Sequence, residues 1–376
     1  MATFLVVHPY LDIYGGGERV CHNVIKTLTS HGQKVELLTF DFDATRYRDI
    51  VGEDLPSEIN VHSLGERTKE APPFTIYKRH RNFAKLLKKY RDQLNYDYLF
   101  STQSSSPFEP TFLKKAKKNI AYVHFPEIHY DYARSGLKRK LYLWMFKHWV
   151  EQGIDKLDLV FCNSQYTKEA IERYWERHRA RNPVVVYPPV NLDKFWCDTP
   201  PSKRRKRVIY VARFIPAKRH EILKHLASEL PQFEFVSVGG LIEAEKPWFD
   251  RFQQNLPANY ALKTNLPGPE LLKLLWESRL YAHLMEGEHF GIAPVEGLAS
   301  GCVTVVHNSG GMKEFIPSEF RWENFQDLKA KIVKYMEMPD TEWEKNRNVL
   351  WNKISVLTPQ TFQTEIWQQI QIIATQ

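Results

Sequence analysis

Short apolar runs of strand length alternate with helix-like runs along this chain, in two successive series, and that alternation admits few folds. Phe4 to His8 reads as a strand, and Gly16 to Thr29 as a helix with Val20, Val24, Ile25 and Leu28 on one face. Strand-like runs follow at Lys34 to Phe40, Tyr96 to Ser101, Asn119 to His124 and Leu157 to Asn163. Asn163-Ser164 would cap a helix starting near Tyr166. The second series opens at Arg207 to Arg213 and continues at Phe233 to Gly239, Tyr260 to Thr264, Leu280 to Met285 and Cys302 to His307. Such a pattern predicts an α/β chain of parallel sheets with helices on both faces.

A chain of 376 residues is too long for one core and long enough for two. Between the two series lies Tyr187-Pro188-Pro189-Val190, then a polar, Pro-containing stretch ending at Pro200-Pro201-Ser202. The expected division is therefore a domain at 1–190, a linker at 191–206, a second domain at 207–357 and a last helix at 358–376. Thr358-Pro359 starts that helix, with Phe362, Ile366, Ile370 and Ile373 on one stripe. The four cysteines (Cys21, Cys162, Cys197 and Cys302) lie far apart, without metal-ligand spacing, and read as reduced thiols of a cytosolic protein. Apolar runs all stop well short of the ~18 residues of a transmembrane helix. The N-terminus enters a strand at once rather than reading as a signal peptide.

Glu288 and Glu296 stand eight positions apart in Glu-His-Phe-Gly-Ile-Ala-Pro-Val-Glu. An apolar stretch precedes this run and a helix-like one, from Pro294 through Ser300, follows it. One carboxylate would sit on the loop and the other in the helix's first turn. A carboxylate accepts two hydrogen bonds and so suits vicinal hydroxyls of a ribose or a sugar. The backbone N–H groups around Phe290, Gly291, Ile292 and Ala293 would be left to bind phosphate. An acidic surface loop beside a helix start would explain two Glu residues alone. Upstream, Arg213 and Lys218 flank the turn Phe214-Ile215-Pro216-Ala217 at the carboxyl end of a strand, where open α/β sheets bind ligands. One planar fork and one point charge suit a diphosphate, although a solvated pair of cations is the commoner fate.

The whole nine-residue string, with Gly301 and His307-Asn308-Ser309-Gly310-Gly311 downstream, resembles the Glu-x7-Glu signature of retaining glycosyltransferases of family 4. The Arg-x4-Lys pair after the strand matches the same family at both positions. The resemblance implies a GT-B fold: two Rossmann-like parallel-sheet domains facing a cleft, with the C-terminal helix crossing back to the N-terminal domain. It also implies that the first domain serves the acceptor and the second the nucleotide sugar. Glu296 would bind the ribose hydroxyls, Glu288 the sugar hydroxyls, and Arg213 and Lys218 the leaving diphosphate.

The first domain adds Tyr14-Gly15-Gly16-Gly17-Glu18-Arg19 after its first strand. Gly16 and Gly17 would let the backbone approach an anion, although a glycine run alone equally describes a flexible turn. The dinucleotide fingerprint is absent, because position 20 is Val. His124 ends a strand, and related enzymes carry a His there that contacts the transferred sugar; Glu127 is a candidate by proximity only. Asp41-Phe42-Asp43 has the form of a metal-holding Asp-x-Asp but follows a strand far from the Glu-x7-Glu half. These two residues read as turn residues, and no metal or cofactor is expected, because Arg213 and Lys218 already neutralise the diphosphate.

The net charge of +8 gathers at Lys85 to Arg91, Lys114 to Lys118, Lys138 to Lys147 and Lys203 to Arg207. No nucleic-acid motif accompanies these clusters, so nucleic acid ranks last among partners. Leu137 to Trp149 mixes Lys and Arg with Leu141, Trp144, Met145, Phe146 and Trp149, and helical spacing would set a basic face against an aromatic one. A packed helix with a basic outer face competes with an interfacial helix on an anionic membrane surface, and the family's lipid-linked acceptors favour the membrane. His8-Pro9-Tyr10, the glycine segment and Tyr122-Val123-His124 are similar to the family's GDP-mannose-dependent α-1,2-mannosyltransferases of lipid-linked oligosaccharides. The resemblance thus implies a retaining, metal-independent hexosyltransferase, cytoplasmic and peripheral on the membrane, moving mannose from GDP-mannose to a glycan or lipid-linked acceptor. A UDP-sugar-dependent transferase of the same fold is the alternative within the class. A catalytically inactive membrane-binding protein on this fold is the alternative outside it.

Overall fold

The computed structural model describes residues 1–11, 15–65, 74–91, 95–104, 107, 109–113, 116–178, 180 and 182–375. Tyr14 of the glycine segment and Lys114 and Lys115 of the second basic cluster lie outside them. The chain divides into two compact units, one of Met1–Pro189 with Pro359–Gln376 and the other of Val190–Thr358.

The first unit holds a seven-stranded parallel sheet: β1 (Thr3–Val7), β2 (Lys34–Thr39), β3 (Asn60–Ser63), β4 (Tyr98–Ser104), β5 (Lys118–Val123), β6 (Leu159–Cys162) and β7 (Val184–Val185). Their order across the sheet is β3-β2-β1-β4-β5-β6-β7. The chain fills one side of β1 first and then returns to fill the other, which opens a switch point between the carboxyl ends of β1 and β4. The strands β1, β2 and β6 are largely apolar and buried because helices cover both faces. The last helix, Pro359–Ala374, belongs to this unit: Phe362, Ile366, Ile370 and Ile373 are buried in one cluster with Phe4, Val24 and Tyr122.

The second unit repeats the plan with β8 (Arg205–Val211), β9 (Glu234–Gly239), β10 (Tyr260–Thr264), β11 (Ser278–Ala282), β12 (Val303–His307) and β13 (Arg321–Trp322), in the order β10-β9-β8-β11-β12-β13. Here the switch point falls between β8 and β11. Residues 191–206, expected as a linker, are folded onto this unit. Leu192 and Phe195 are buried, and the buried Arg204 guanidinium donates to the carbonyls of Ser278 and Ser300 at 3.0 and 2.9 Å.

Local signals explain the helix starts. Ser164 caps the helix Gln165–Tyr174 by accepting from the Thr167 N–H at 3.1 Å, and Asp43 caps Ala44–Val51 by accepting from Arg46 N–H at 2.9 Å. All four cysteines are free thiols. Among the described residues no helix is long and apolar enough to cross a membrane.

Candidate donor site and its histidine counterpart

The second unit gathers its charged residues at its own switch point, from the ends of β8 and β11. Lys218 follows β8 in a short 3-10 turn (Pro216–Lys218), and Glu288 lies on the loop after β11. Lys218 Nζ stands 3.2 Å from Glu288 Oε2 and 2.9 Å from Met285 Sδ. The buried His283, directly after β11, brings its Nε2 to 3.3 Å from the same carboxylate oxygen. Burial works against the Glu288 charge, but the His283 contact and the Lys218 ammonium outweigh it and hold the carboxyl well below its usual range. Glu288 is therefore an anion locked between two partners.

The loop that carries Glu288 is braced by the segment after β12. Gly311 N–H donates to the Glu288 carbonyl at 2.8 Å, and Gly287 N–H donates to Ser309 Oγ at 2.7 Å, which His307 Nδ1 also meets at 2.6 Å. Gly310 has φ +76°, and a Cβ there would lie 2.2 Å from the Glu288 carbonyl oxygen. The two halves of the sequence motif are thus one structural unit.

The helix Ile292–Ala299 starts earlier than its Pro294 suggested, capped by Gly291 at φ +94°. Pro fits the first turn, where its missing N–H costs nothing. This places Glu296 in the second turn rather than the first. The carboxylate residue is buried at 7% exposure, and Phe290 is also buried. The first-turn N–H groups of Ile292 and Ala293 face outward along the helix axis, as at any helix start.

Arg213 differs from Lys218. Its side chain is exposed and makes no hydrogen bond or ion pair among the described residues. Its backbone is fixed instead: the Arg213 carbonyl accepts from His220 Nε2 at 3.0 Å. That bond puts the proton on Nε2, so His220 Nδ1 accepts from Ser237 Oγ at 3.1 Å, and Ser237 in turn accepts from Tyr260 Oη at 2.7 Å. Burial pushes the His220 pKa down to about 4, so it holds this bond as a neutral ring.

In the first unit the corresponding switch point holds histidines. His8, directly after β1, is buried and places Nδ1 2.9 Å from Thr102 Oγ1 of β4. Its Nε2 is buried without a hydrogen-bond partner among the described residues. Burial and the neighbouring His124 push its pKa down to about 3. His124, after β5, meets the Thr102 carbonyl through Nε2 at 3.0 Å, and burial lowers its pKa too. A carbonyl only accepts, so Nε2 carries the proton and Nδ1 of the neutral ring is left as an acceptor. Gly16 and Gly17 open the helix Gly16–Ser30, and a Cβ on Gly17 would rest 3.6 Å from both His124 Nε2 and His8 Cε1. That is ordinary van der Waals distance, so the start of this helix lies directly against both imidazoles.

The structure brings Lys218 and Glu288 into contact, and groups His124 with Gly17. Glu127 sits at the start of the helix Glu127–Arg134, where burial and Asp131 raise its pKa. Asp43 spends its carboxylate on a helix cap. His283, His220 and Thr102 were not singled out from the sequence; a lone buried His or Thr carries no motif. The position of His283 directly after β11 and of Thr102 within β4 was the available signal, whereas His220 opens the helix His220–Glu229 and offered none.

The family model "Glycosyltransferase Family 4" matches residues 14–194, and "Glycosyl transferases group 1" matches residues 198–349. A Neurospora crassa relative named "GDP-Man:Man(3)GlcNAc(2)-PP-Dol alpha-1,2-mannosyltransferase" is 24% identical over 89% of this chain and 73% of its own length. Relatives of the same name from Candida glabrata and Homo sapiens are 27% and 26% identical, over 51% and 57% of this chain. The chain spans only 43% and 48% of those two relatives' length. Among solved structures, a sucrose-phosphate synthase from Thermosynechococcus elongatus has a TM-score of 0.77 at 16% identity, covering 100% of both chains. Anabaena HepE in complex with UDP and glucose has a TM-score of 0.73 at 16% identity, covering 99% of this chain and 100% of that one. These structures share the GT-B fold of two parallel-sheet units. With both units matched along most of their length, this chain belongs to glycosyltransferase family 4.

Proposed function

We propose that this glycosyltransferase moves mannose from GDP-mannose to a lipid-linked glycan, with retention of configuration and without a metal ion. The relatives' printed names support the donor and the acceptor class. The observation that carries the chemistry is the constellation at the β8–β11 switch point: an exposed Arg213 guanidinium, unpaired among the described residues, and the Lys218–Glu288 pair. A cation that is already fixed in place needs no reorganisation as charge grows on a leaving diphosphate. Glu288 and Glu296 serve the sugar and ribose hydroxyls, and the N–H groups of Phe290 to Ala293 assist the phosphates. In the first unit, the backbone at Gly16 and Gly17 suits an anion and His124 Nδ1 can accept from a sugar hydroxyl. The acceptor's lipid sets the place of work: the enzyme is peripheral, on the cytoplasmic face of a membrane.

A donor panel tests this reading. Binding and hydrolysis of GDP-mannose should exceed those of UDP-glucose and UDP-N-acetylglucosamine, and should be unchanged by EDTA. Preference for a UDP-sugar would replace the donor, and restoration of activity only by magnesium or manganese would remove the metal-free mechanism.

A further inference from the structure

The helix Leu137–Ile154 has two apolar faces, and only one of them is packed. Leu143, Phe146, Val150 and Ile154 point inward and are buried, all but Leu143 in one cluster with Val123 and Cys162. On the opposite side Leu137, Leu141, Trp144 and Met145 follow the i, i+4, i+7, i+8 spacing of a helical stripe. They are 85%, 75%, 58% and 46% exposed. At about 100° per residue, Lys138 falls on one margin of that stripe and Lys140 and Lys147 on the other. Of the two readings of this segment, the packed helix with a basic outer face does not hold: large apolar side chains occupy the outer face, and the cations edge it. Four large apolar side chains in one solvent-facing stripe are a binding surface, not scattered exposure.

The neighbouring helix says what that surface meets. Thr75–Arg91 carries seven Lys or Arg and no Asp or Glu. It stands against the inner side of Leu137–Ile154, with Tyr77 5.8 Å from Trp149 and His80 4.1 Å from Phe146 between ring centres. Between the two helices a cavity of about 460 Å³ is lined by Arg81, Lys85 and Lys88 beside Ala84, Phe112 and Trp149. A protein partner's apolar patch would match the stripe but not the excess of cations around it, since of the three flanking lysines only Lys147 has a carboxylate partner, Glu151, among the described residues. A second copy of this chain would set cations against cations. An anionic bilayer offers both an apolar interior and negative headgroups.

We infer that the Leu137–Ile154 helix lies in the headgroup region of an anionic membrane, its Leu137–Leu141–Trp144–Met145 stripe inserted and its flanking cations on the headgroups. This deepens the proposed action on a lipid-carried acceptor by naming the surface that reaches the lipid. It stands on exposure and charge alone, so its test needs neither donor nor acceptor.

Sedimentation of the full chain with phosphatidylcholine vesicles, with and without about a third phosphatidylserine, reads the inference directly. The wild type should bind the anionic vesicles and bind the neutral ones far more weakly. Leu141→Ser with Trp144→Ser, both at exposed positions, should weaken anionic binding by roughly tenfold or more. Lys138→Glu with Lys140→Glu should weaken it by at least roughly tenfold at low salt, with the difference shrinking as salt rises. Both variants should keep the wild-type melting temperature and wild-type affinity for GDP in solution. Loss of nucleotide binding by the wild type would strike the proposed function and leave this inference standing. Equal sedimentation of the wild type and both variants overturns the inference. So does a wild-type oligomer that the Leu141→Ser, Trp144→Ser variant converts to monomer without any vesicle binding, which would assign the stripe to a second copy.

Discussion

Lys218 Nζ lies 3.2 Å from Glu288 Oε2 across seventy positions of sequence, joining the end of β8 to the loop after β11. The ion pair closes the switch point of the second unit from both sides. It also makes the site's two cations unequal. Lys218 is held by a carboxylate before any donor arrives, whereas Arg213 is exposed without a side-chain partner among the described residues. A held cation contributes through position and a free one through attraction.

The pair fixes a kinetic expectation. Charge grows on the diphosphate as the glycosidic bond breaks, and interactions that strengthen with that charge act on turnover. Lys218→Ala should therefore lower kcat by roughly 10²–10³, the usual loss for one such contact, with a much smaller change in donor KM. Glu296, buried on its helix and assigned to a ribose that does not change during reaction, should behave in the opposite way. Glu296→Ala should chiefly raise donor KM. Steady-state kinetics of both variants with the preferred donor decide the matter, and near-normal turnover of Lys218→Ala would reduce the ammonium to a structural tie.

The same pair has a pH signature. His283 and Lys218 depress the Glu288 pKa in the folded protein despite burial. A carboxyl with a depressed folded pKa adds stability above its unfolded value of about 4.3, and that stability fades as pH falls toward the depressed folded value. Glu288→Gln never has it. The wild type should melt above Glu288→Gln at pH 7, and the gap should hold down to about pH 5 and narrow below about 4.3. Thermal denaturation of both proteins across that range gives the difference. A gap that widens on acidification would mean that Glu288 is protonated in the fold.

Much of this was legible in the sequence because parallel strands buried on both faces leave long apolar runs, and β1, β2, β5, β6, β8, β9 and β10 fall where those runs stand. The edge strands β3, β7 and β13 are two to four residues long and carry no such run. Glu288, Glu296, Arg213 and Lys218 were singled out through the resemblance of their motifs to the family's, but their contacts were not legible: nothing in the order of residues shows that Lys218 reaches Glu288 or that His283 stands behind it. The Leu137–Ile154 helix defeated periodicity for a definite reason. Apolar residues on two opposite faces cancel the one-sided signal that an amphipathic helix gives. Position 14 of the glycine segment and the Lys114–Lys115 part of the basic clusters lie outside the described residues.

The brace beneath Glu288 gives the most demanding prediction. Gly310 adopts φ +76° and ψ −167°, a region open essentially to glycine alone. A Cβ there would stand 2.2 Å from the Glu288 carbonyl oxygen and 2.8 Å from the Glu288 nitrogen, both backbone atoms that cannot rotate away. Gly310→Ala should thus lose about 1–3 kcal/mol to backbone strain and push the Glu288 loop off Lys218. Gly32 is the control: its φ is +68°, but a Cβ there meets nothing within 4 Å. Gly32→Ala should cost about 1–2 kcal/mol and leave turnover untouched. Gly310→Ala should melt lower than Gly32→Ala and lose turnover together with donor hydrolysis. Equal melting temperatures and intact turnover in the two variants would mean that the segment after β12 does not position Glu288.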